Sequence, residues 1–372
     1  PLYAFLNQAE DLSVTGLYLS DYSIRGSLDR AFGAEVKWDV DLLGGYETRF
    51  VAGAKRRDEA GGFFSMCAPG VWEAVRGGGF DALVVHGHTP AAMLLAAAAA
   101  KTAGIPVFAR AETHLGLRRA AWKRSLRRPV MQALYGQCAG LLAIGTANRA
   151  YYRSLGFAED RIFLVPYAVD NARFASAVVD RAAIRAKMGI ADDKPVVLYA
   201  AKFSPRKRPD DLIRAAAAVK RAGSAFHLVM VGSGELEGRL RALANELGIG
   251  DTHFPGFVNQ SDLPGLYAAS DIFVLPSENE PWGLAVNEAM CAGLPVVVAD
   301  EVGCVPDLVQ DRVNGRTFTA GNTAQLAACL TELVADPIQR ARMGAASGEI
   351  IAHWSFAECL AGLRQALDHA AP

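Results

Sequence analysis

No Cys-x-x-Cys pair and no cluster of metal-ligating side chains occurs in the 372 residues: the six cysteines, Cys67, Cys138, Cys291, Cys304, Cys329 and Cys359, are scattered. That pattern excludes a zinc ribbon and a disulfide framework, and it leads to the expectation of reduced thiols in a cytoplasmic protein. An excess of one charge sign is missing too. With 38 Lys and Arg against 39 Asp and Glu the net charge is −1, so no overall field draws the chain to nucleic acid or anionic lipid, and any basic surface has to be local. The longest uncharged apolar run, 90–100, ends at Lys101 and falls short of the roughly 20 residues needed to cross a bilayer core. Low complexity is confined to the alanines at 96–100, which make a good helix. The chain opens on Pro1 with neither a methionine nor a signal-like segment, so the expectation is a natural start further upstream, with export left open. What is present is core material: 51% hydrophobic and 21% charged residues exclude disorder as the main state. At about 150 residues per domain the length implies two domains or slightly more.

Strand-length apolar runs alternate with longer stretches of helical period, the pattern of stacked β-α-β units and a parallel sheet. The pattern occurs twice: at 12–19, 82–86, 106–111, 140–144 and 161–166, then at 195–200, 226–231, 252–257, 271–276 and 295–299. The expected division is a first domain over 1–168, a junction over 169–192, a second domain over 193–352 and a final helical segment over 353–372. Residues 1–9 have a helical pattern with Pro1 in the first turn. A doubly wound domain normally opens on a strand, so either the first sheet starts at 12–19 or an earlier strand precedes this sequence.

The strand at 271–276 is followed by Glu278-Asn-Glu-Pro-Trp282 and a helical stretch from Gly283. The loop therefore lies at the carboxyl edge of a sheet, where open α/β folds bind ligands. Unpaired N–H groups at the helix start, with Gly283 offering no Cβ to hold off a phosphate, suit an anion. Glu280 sits in the loop and Glu288 eight positions later in the helix; on spacing alone, a solvated loop charge and a helix-face charge would explain them. After the strand at 195–200 come Lys202, Arg206, Lys207 and Arg208, again at a carboxyl edge. Cations near a helix N-terminus oppose its dipole by about 0.3–1 kcal/mol each, a balance that an anionic ligand reverses.

The stretch from Ser277 to Val297, Ser-Glu-Asn-Glu-Pro-Trp-Gly-Leu-Ala-Val-Asn-Glu-Ala-Met-Cys-Ala-Gly-Leu-Pro-Val-Val, resembles the Glu-x7-Glu signature of the retaining glycosyltransferases of family four. The resemblance continues through Val231-Gly-Ser-Gly-Glu235, Phe254-Pro-Gly-Phe-Val258, Leu266-Tyr-Ala-Ala-Ser-Asp271 and Asp311-Arg-Val-Asn-Gly-Arg-Thr-Phe318, and it covers the second half in the family's order. It implies a GT-B fold, an α/β architecture of two Rossmann-like domains with parallel sheets facing a central cleft, in which the final helix crosses back to the first domain. It also implies metal-independent sugar transfer with retention from a nucleotide-diphosphate sugar, UDP- or GDP-linked, with no further cofactor. Residue by residue, it places the ribose on Glu288 and the transferred sugar near Glu280, with Glu278 a competitor that lacks the family spacing. Lys202 and Lys207 match the two cations that hold the diphosphate, although Lys202 stands where arginine is usual and Arg208 where glycine is usual. Gly232, Pro281, Trp282, Gly283 and Leu284 fall at the donor, and Phe257 and Val258 border its base. At the junction the usual Pro-Asn-Gly-Val-Asp reads Pro-Tyr-Ala-Val-Asp, ending at Asp170.

In the first half His86 and His88 follow one strand, and Arg110, Glu112 and His114 another. Family members carry a histidine near the sugar at the second of these places, which selects His114. His86 and His88 are equally explained as hydrogen-bonded loop residues, and Arg110 and Glu112 as a structural ion pair. Residues 118–128 concentrate Arg118, Arg119, Lys123, Arg124, Arg127 and Arg128 around Trp122 and Leu126, which suits either an anionic membrane surface or phosphorylated acceptor, or a solvated face over a buried stripe. Pro129 is expected to end that helix. Asp39-Val-Asp41 has the form of a metal-binding Asp-x-Asp without its strand context, and chance explains it better. The acceptor is a glycan, a lipid-linked compound or a small molecule. Rival functions are a nucleotide-sugar epimerase or hydrolase on the same fold, or a non-catalytic subunit binding a nucleotide sugar or lipid.

Overall fold

The computed structural model describes the chain apart from residues 22, 23, 25, 30–33, 54–62, 65–67, 88–90, 119, 120, 177–179, 192 and 372 and the side chains at 27–29, 34–36 and 121–126. His88, Cys67 and Arg119, with the side chains of Trp122, Lys123, Arg124 and Leu126, lie outside the described residues. Two compact units emerge, one made of 1–27, 41–167 and 356–372, the other of 28–40 and 168–355.

In the first unit, β1 (Thr15–Tyr18) pairs in parallel with the short β4 (Glu47–Phe50) and, among the described residues, with no strand of the main sheet, so of the two openings weighed above the run at 12–19 does not start that sheet. Between them in sequence, β2 (Ser27–Asp29) and β3 (Ala34–Val36) form a separate two-stranded pair. The main sheet is β5 (Leu83–His86), β6 (Val107–Arg110), β7 (Gly140–Ala143) and β8 (Ile162–Leu164), parallel and in chain order. β6 and β7 are buried along their whole length, as a strand covered on both faces must be. The helix Ala121–Gly136 runs on through Pro129, contrary to the expected break; the proline forfeits one main-chain bond, and the turns on both sides persist. The final helix, Phe356–Ala370, packs on β8 and β7. A Cβ at Gly362 would run into the Leu164 carbonyl, so glycine is what permits this close seat.

The second unit carries one six-stranded parallel sheet: β9 (Val196–Ala200), β10 (His227–Val231), β11 (Thr252–Gly256), β12 (Ile272–Leu275), β13 (Val296–Ala299) and β14 (Gly315–Phe318), in the order β11-β10-β9-β12-β13-β14. Renumbered from its first strand, the order is 3-2-1-4-5-6, the doubly wound arrangement whose strand order reverses between the first and fourth strands. Here that reversal lies between β9 and β12, which pair directly through Ile272 with Val197 and Phe273 with Leu198. The loops leaving these two strands are therefore neighbours at the carboxyl edge. The helix Pro209–Arg221 follows β9, with Pro209 at its first position, Asp210 and Asp211 in its first turn and Leu212, Ile213, Ala216 and Val219 buried.

The segment 28–40 groups with this second unit, although its sequence position assigns it to the first domain. Its end is tied to the loop after β11: Asn259 Nδ2 donates to the Lys37 carbonyl at 2.7 Å, the Ser261 N–H donates to Asp39 at 3.1 Å, and Trp38 lies 6.3 Å from the Phe257 ring. Asp41 accepts the N–H groups of Leu43 and Gly44. Both aspartates of the Asp-x-Asp are thus engaged by main-chain donors.

Candidate functional site

The loop after β9 makes one tight turn, Pro205–Lys207, then enters the next helix through Arg208, whose φ of +48° is left-handed. That is the backbone a glycine adopts at least cost, which accounts for the glycine usual at this position. Arg208 holds the conformation with its head group, Nε to Asp211 Oδ2 at 2.6 Å and Nη1 to Glu278 Oε2 at 2.9 Å. The Glu278 N–H also donates to the Arg206 carbonyl at 2.9 Å, so the two loops are zipped by main chain and side chain together. Glu278, the competitor for the sugar, is thereby committed to bracing.

Glu280 is buried and lies at the focus of the cations. Lys207 Nζ at 2.6 Å and Arg206 Nη1 at 2.7 Å both donate to its Oε2. Its main chain is fixed against the loop after β13, N–H to the Glu301 carbonyl at 3.3 Å and carbonyl to the Gly303 N–H at 3.0 Å. Burial holds the Lys207 ammonium below its usual range, opposed by Glu280 and reinforced by the charges of Arg206 and Lys202. Lys202, whose carbonyl accepts from Tyr199 Oη at 3.0 Å, thus stands within electrostatic reach of Lys207.

Glu288 lies within the helix Leu284–Cys291 and has its own partner, Tyr267 Oη, which donates to Oε2 at 2.8 Å. Burial pushes its carboxyl up to about 7, with the tyrosine hydroxyl and the Arg173 charge pulling the other way. Arg206 and Tyr267 are the partners that motif reading passed over. Arg206 is adjacent to the matched lysine, and Tyr267 lies inside a matched stretch, but spacing does not say which way either side chain turns.

Two donor-loop residues also have structural work of their own. The Trp282 ring is 3% exposed; it packs 5.5 Å from Trp354 and its Nε1 donates to Asn287 Oδ1 at 2.9 Å, so it braces the loop from within. At Gly283 (φ +99°) a Cβ would stand 2.8 Å from Val302 Cγ1 and 3.0 Å from Leu275 Cδ2; the space that glycine spares is filled by the protein, not left for phosphate. Gly232 (φ +137°) likewise admits the Ala201 carbonyl, bringing the loops after β9 and β10 together. Pro281, Leu284, Phe257 and Val258 are partly exposed around this edge.

In the first unit His86 Nε2 meets Tyr3 Oη at 2.7 Å. Desolvation beside the Tyr3 ring and the nearby Arg110 charge both lower the pKa of this imidazole, whose outer edge stays exposed. Arg110 and Glu112 do not pair with each other. Arg110 is buried, donates to the carbonyls of Val165 and Pro166 at 3.2 and 2.9 Å and lies over the Tyr167 ring, whose hydroxyl donates to Glu112. His114 is buried in the loop after β6. Arg118 and Arg128 are exposed at the ends of the basic segment. Among the described residues no three His, Cys, Asp or Glu side chains are grouped to hold a metal ion, and no helix is long and apolar enough to cross a membrane. The five described cysteines are buried thiols.

Comparison with known proteins adds the following. Residues 180–349 match the family model described as glycosyl transferases group 1, and residues 35–168 the glycosyl transferase 4-like domain. The D-inositol 3-phosphate glycosyltransferase of Nocardia farcinica is 35% identical over 224 residues, 58% of this chain and 49% of that protein. The GDP-mannose-dependent monoacylated alpha-(1-6)-phosphatidylinositol monomannoside mannosyltransferase of Corynebacterium glutamicum is 35% identical over 201 residues, 52% of each chain. The chain thus spans about half the length of the curated relatives it matches. Among solved structures, Anabaena HepE in complex with UDP superimposes with a TM-score of 0.72 at 21% identity over 88% of both chains. Sucrose-phosphate synthase from Thermosynechococcus elongatus gives 0.68 at 19%, covering 98% of this chain and 90% of that one. These likenesses show the fold, GT-B, with two α/β domains built on parallel sheets.

Proposed function

We propose, from the match of residues 180–349 to the group 1 glycosyl transferases and of residues 35–168 to the glycosyl transferase 4-like domain, that the chain transfers a sugar from a nucleotide-diphosphate donor, UDP- or GDP-linked, to an acceptor hydroxyl with retention and without a metal ion. The observation that carries this reading is the convergence of Lys207 on Glu280 at the point where the sheet order reverses, since ligands of such sheets bind there. Lys207 and Lys202 hold the diphosphate. Glu288 accepts the ribose hydroxyls, Glu280 faces the transferred sugar, and Phe257 and Val258 border the base.

As the glycosidic bond breaks, negative charge grows on the leaving diphosphate and positive charge on the sugar. Fixed ammonium groups aimed at the first, and a carboxylate near the second, stabilise that separation without reorganising. They supply the positive charge that a divalent ion would otherwise bring. The departing phosphate takes the acceptor proton on the face it leaves, which gives retention. His114 is assigned to the sugar by resemblance, and the six Arg and Lys of residues 118–128 are assigned to an anionic membrane or acceptor on the cytoplasmic side. The acceptor is a glycan, a lipid-linked compound or a small molecule.

The test is a thermal-shift panel of UDP, GDP and ADP sugars with EDTA present, followed by NMR of the anomeric product. Stabilisation by one donor class and an unchanged anomer support the proposal; stabilisation by none of them, or an inverted anomer, overturns it.

A further inference from the structure

Lys202 stands where the resemblance leads one to expect arginine, which leaves the diphosphate without a planar fork of donors. The same loop carries a guanidinium four residues on. Arg206 Nη1 lies 2.7 Å from the same Glu280 oxygen that Lys207 already occupies at 2.6 Å. The two cations differ in setting. The Lys207 side chain is 15% exposed and fixed by its surroundings, whereas that of Arg206 is 43% exposed and able to swing. One buried carboxylate needs only one of them for neutrality. Lys202 stands within electrostatic reach of Lys207, so this loop brings two ammonium groups and a guanidinium to the edge where an anionic ligand of such a sheet binds. Arg208 stands outside this set, already matched by Asp211 and Glu278.

We infer that Arg206 is the guanidinium of the diphosphate clamp, held on Glu280 while the donor is absent and transferred to a phosphate oxygen when it binds. The inference deepens the donor reading above and rests on it. The exchange strands no charge: Glu280 keeps buried Lys207 as its partner, the guanidinium exchanges one anion for another, and the carboxylate loses one of two donors and becomes available to the sugar. A guanidinium presents two parallel N–H groups to adjacent oxygens where an ammonium presents a point charge. The arginine has moved along the loop rather than disappeared.

The experiment is calorimetric titration of the full chain with UDP, GDP and ADP, each beside its nucleoside, for wild type, Arg206→Gln, and Arg206→Gln combined with Lys202→Arg. The expected result is that Arg206→Gln weakens the diphosphate about tenfold or more with a shallower salt dependence and leaves nucleoside affinity unchanged, and that Lys202→Arg restores most of the loss. If wild type binds a diphosphate and Arg206→Gln binds it equally, or if the arginine at 202 restores nothing, Arg206 is only a brace for Glu280 and the inference is overturned. If wild type binds none of the three, the donor reading itself falls, and this inference with it. Arg206 is half exposed, so the variant is expected to fold, with an unchanged melting curve as the control.

Discussion

Glu288 offers the sharpest test because its environment and its proposed role pull in opposite directions. Its carboxyl stands near 7 in the folded protein against 4.5 for a free glutamate, with burial the main cause. Near pH 6 about one-tenth of it is ionised and near pH 8 about nine-tenths. If ribose hydroxyls donate to the carboxylate, donor affinity should rise about tenfold between these values. A nucleotide sugar is the right ligand, since its diester phosphates do not titrate in this range; calorimetry at constant ionic strength gives the dissociation constants. Stability should move the other way. A carboxyl whose folded pKa exceeds its unfolded one contributes fully below the unfolded value, near 4.5, and loses that contribution as pH rises through 7. At pH 8 the ionised group costs up to about 3 kcal/mol. Glu288→Gln keeps an acceptor for Tyr267 Oη and removes that cost, so it should melt several degrees higher than wild type at pH 8 and nearly the same at pH 5, while binding donor weakly and independently of pH. A variant that loses stability at pH 8, or that keeps the wild-type pH dependence of binding, refutes the reasoning.

Glu280→Gln should abolish transfer while donor affinity stays within a few-fold, whereas Lys207→Ala should weaken donor binding about tenfold or more; equal small effects on initial rate and calorimetric affinity would contradict the assigned roles. Gly283→Ala meets both a left-handed φ and two side chains within 3.0 Å, so urea unfolding should show a loss of about 2–3 kcal/mol. Arg208→Gly relieves a strained backbone worth about 1–2 kcal/mol and removes two ion pairs, so its denaturation midpoint should stay close to wild type, and a loss above about 3 kcal/mol would show that the pairs dominate. Anionic vesicles should sediment the protein at low salt and lose it when Arg118 and Arg128 are both changed to Gln; co-sedimentation that ignores the change would move the contact elsewhere.

How much of this could be read from sequence depended on length and burial. The strands β9, β12 and β13 are apolar on both faces and stand out as runs, and the doubly wound order follows from their alternation with helices. β4 consists of Glu47-Thr-Arg-Phe50, largely exposed, and β14, Gly315-Arg-Thr-Phe318, buries only its two ends; neither leaves an apolar run to see. In the site, the motif identified Glu280, Glu288 and Lys207 because their types and spacing are local. It did not separate the three consecutive cations: Arg206 and Lys207 turn to Glu280, while Arg208 turns to Asp211 and Glu278, a choice made by a tight turn and a left-handed residue. Trp282 was read as facing the donor, and only its meeting with Trp354, far along the chain, shows that it faces inward. The contact between Tyr3 and His86 is equally nonlocal, and it favours the hydrogen-bonded reading of His86 over a place at the acceptor.

The seat of the last helix governs how the molecule can be divided at the bench. Because Gly362 rests on the Leu164 carbonyl and Arg364 pairs with Asp11, the amino-terminal lobe is completed by residues that follow the whole second unit in sequence. Expressing residues 1–167 alone would expose the flank of β8 and β7 that this helix covers, inviting aggregation, whereas appending 356–372 through a flexible tether would restore it. On the ribosome, the same arrangement means that the first lobe cannot finish folding until residues 168–355 have been made.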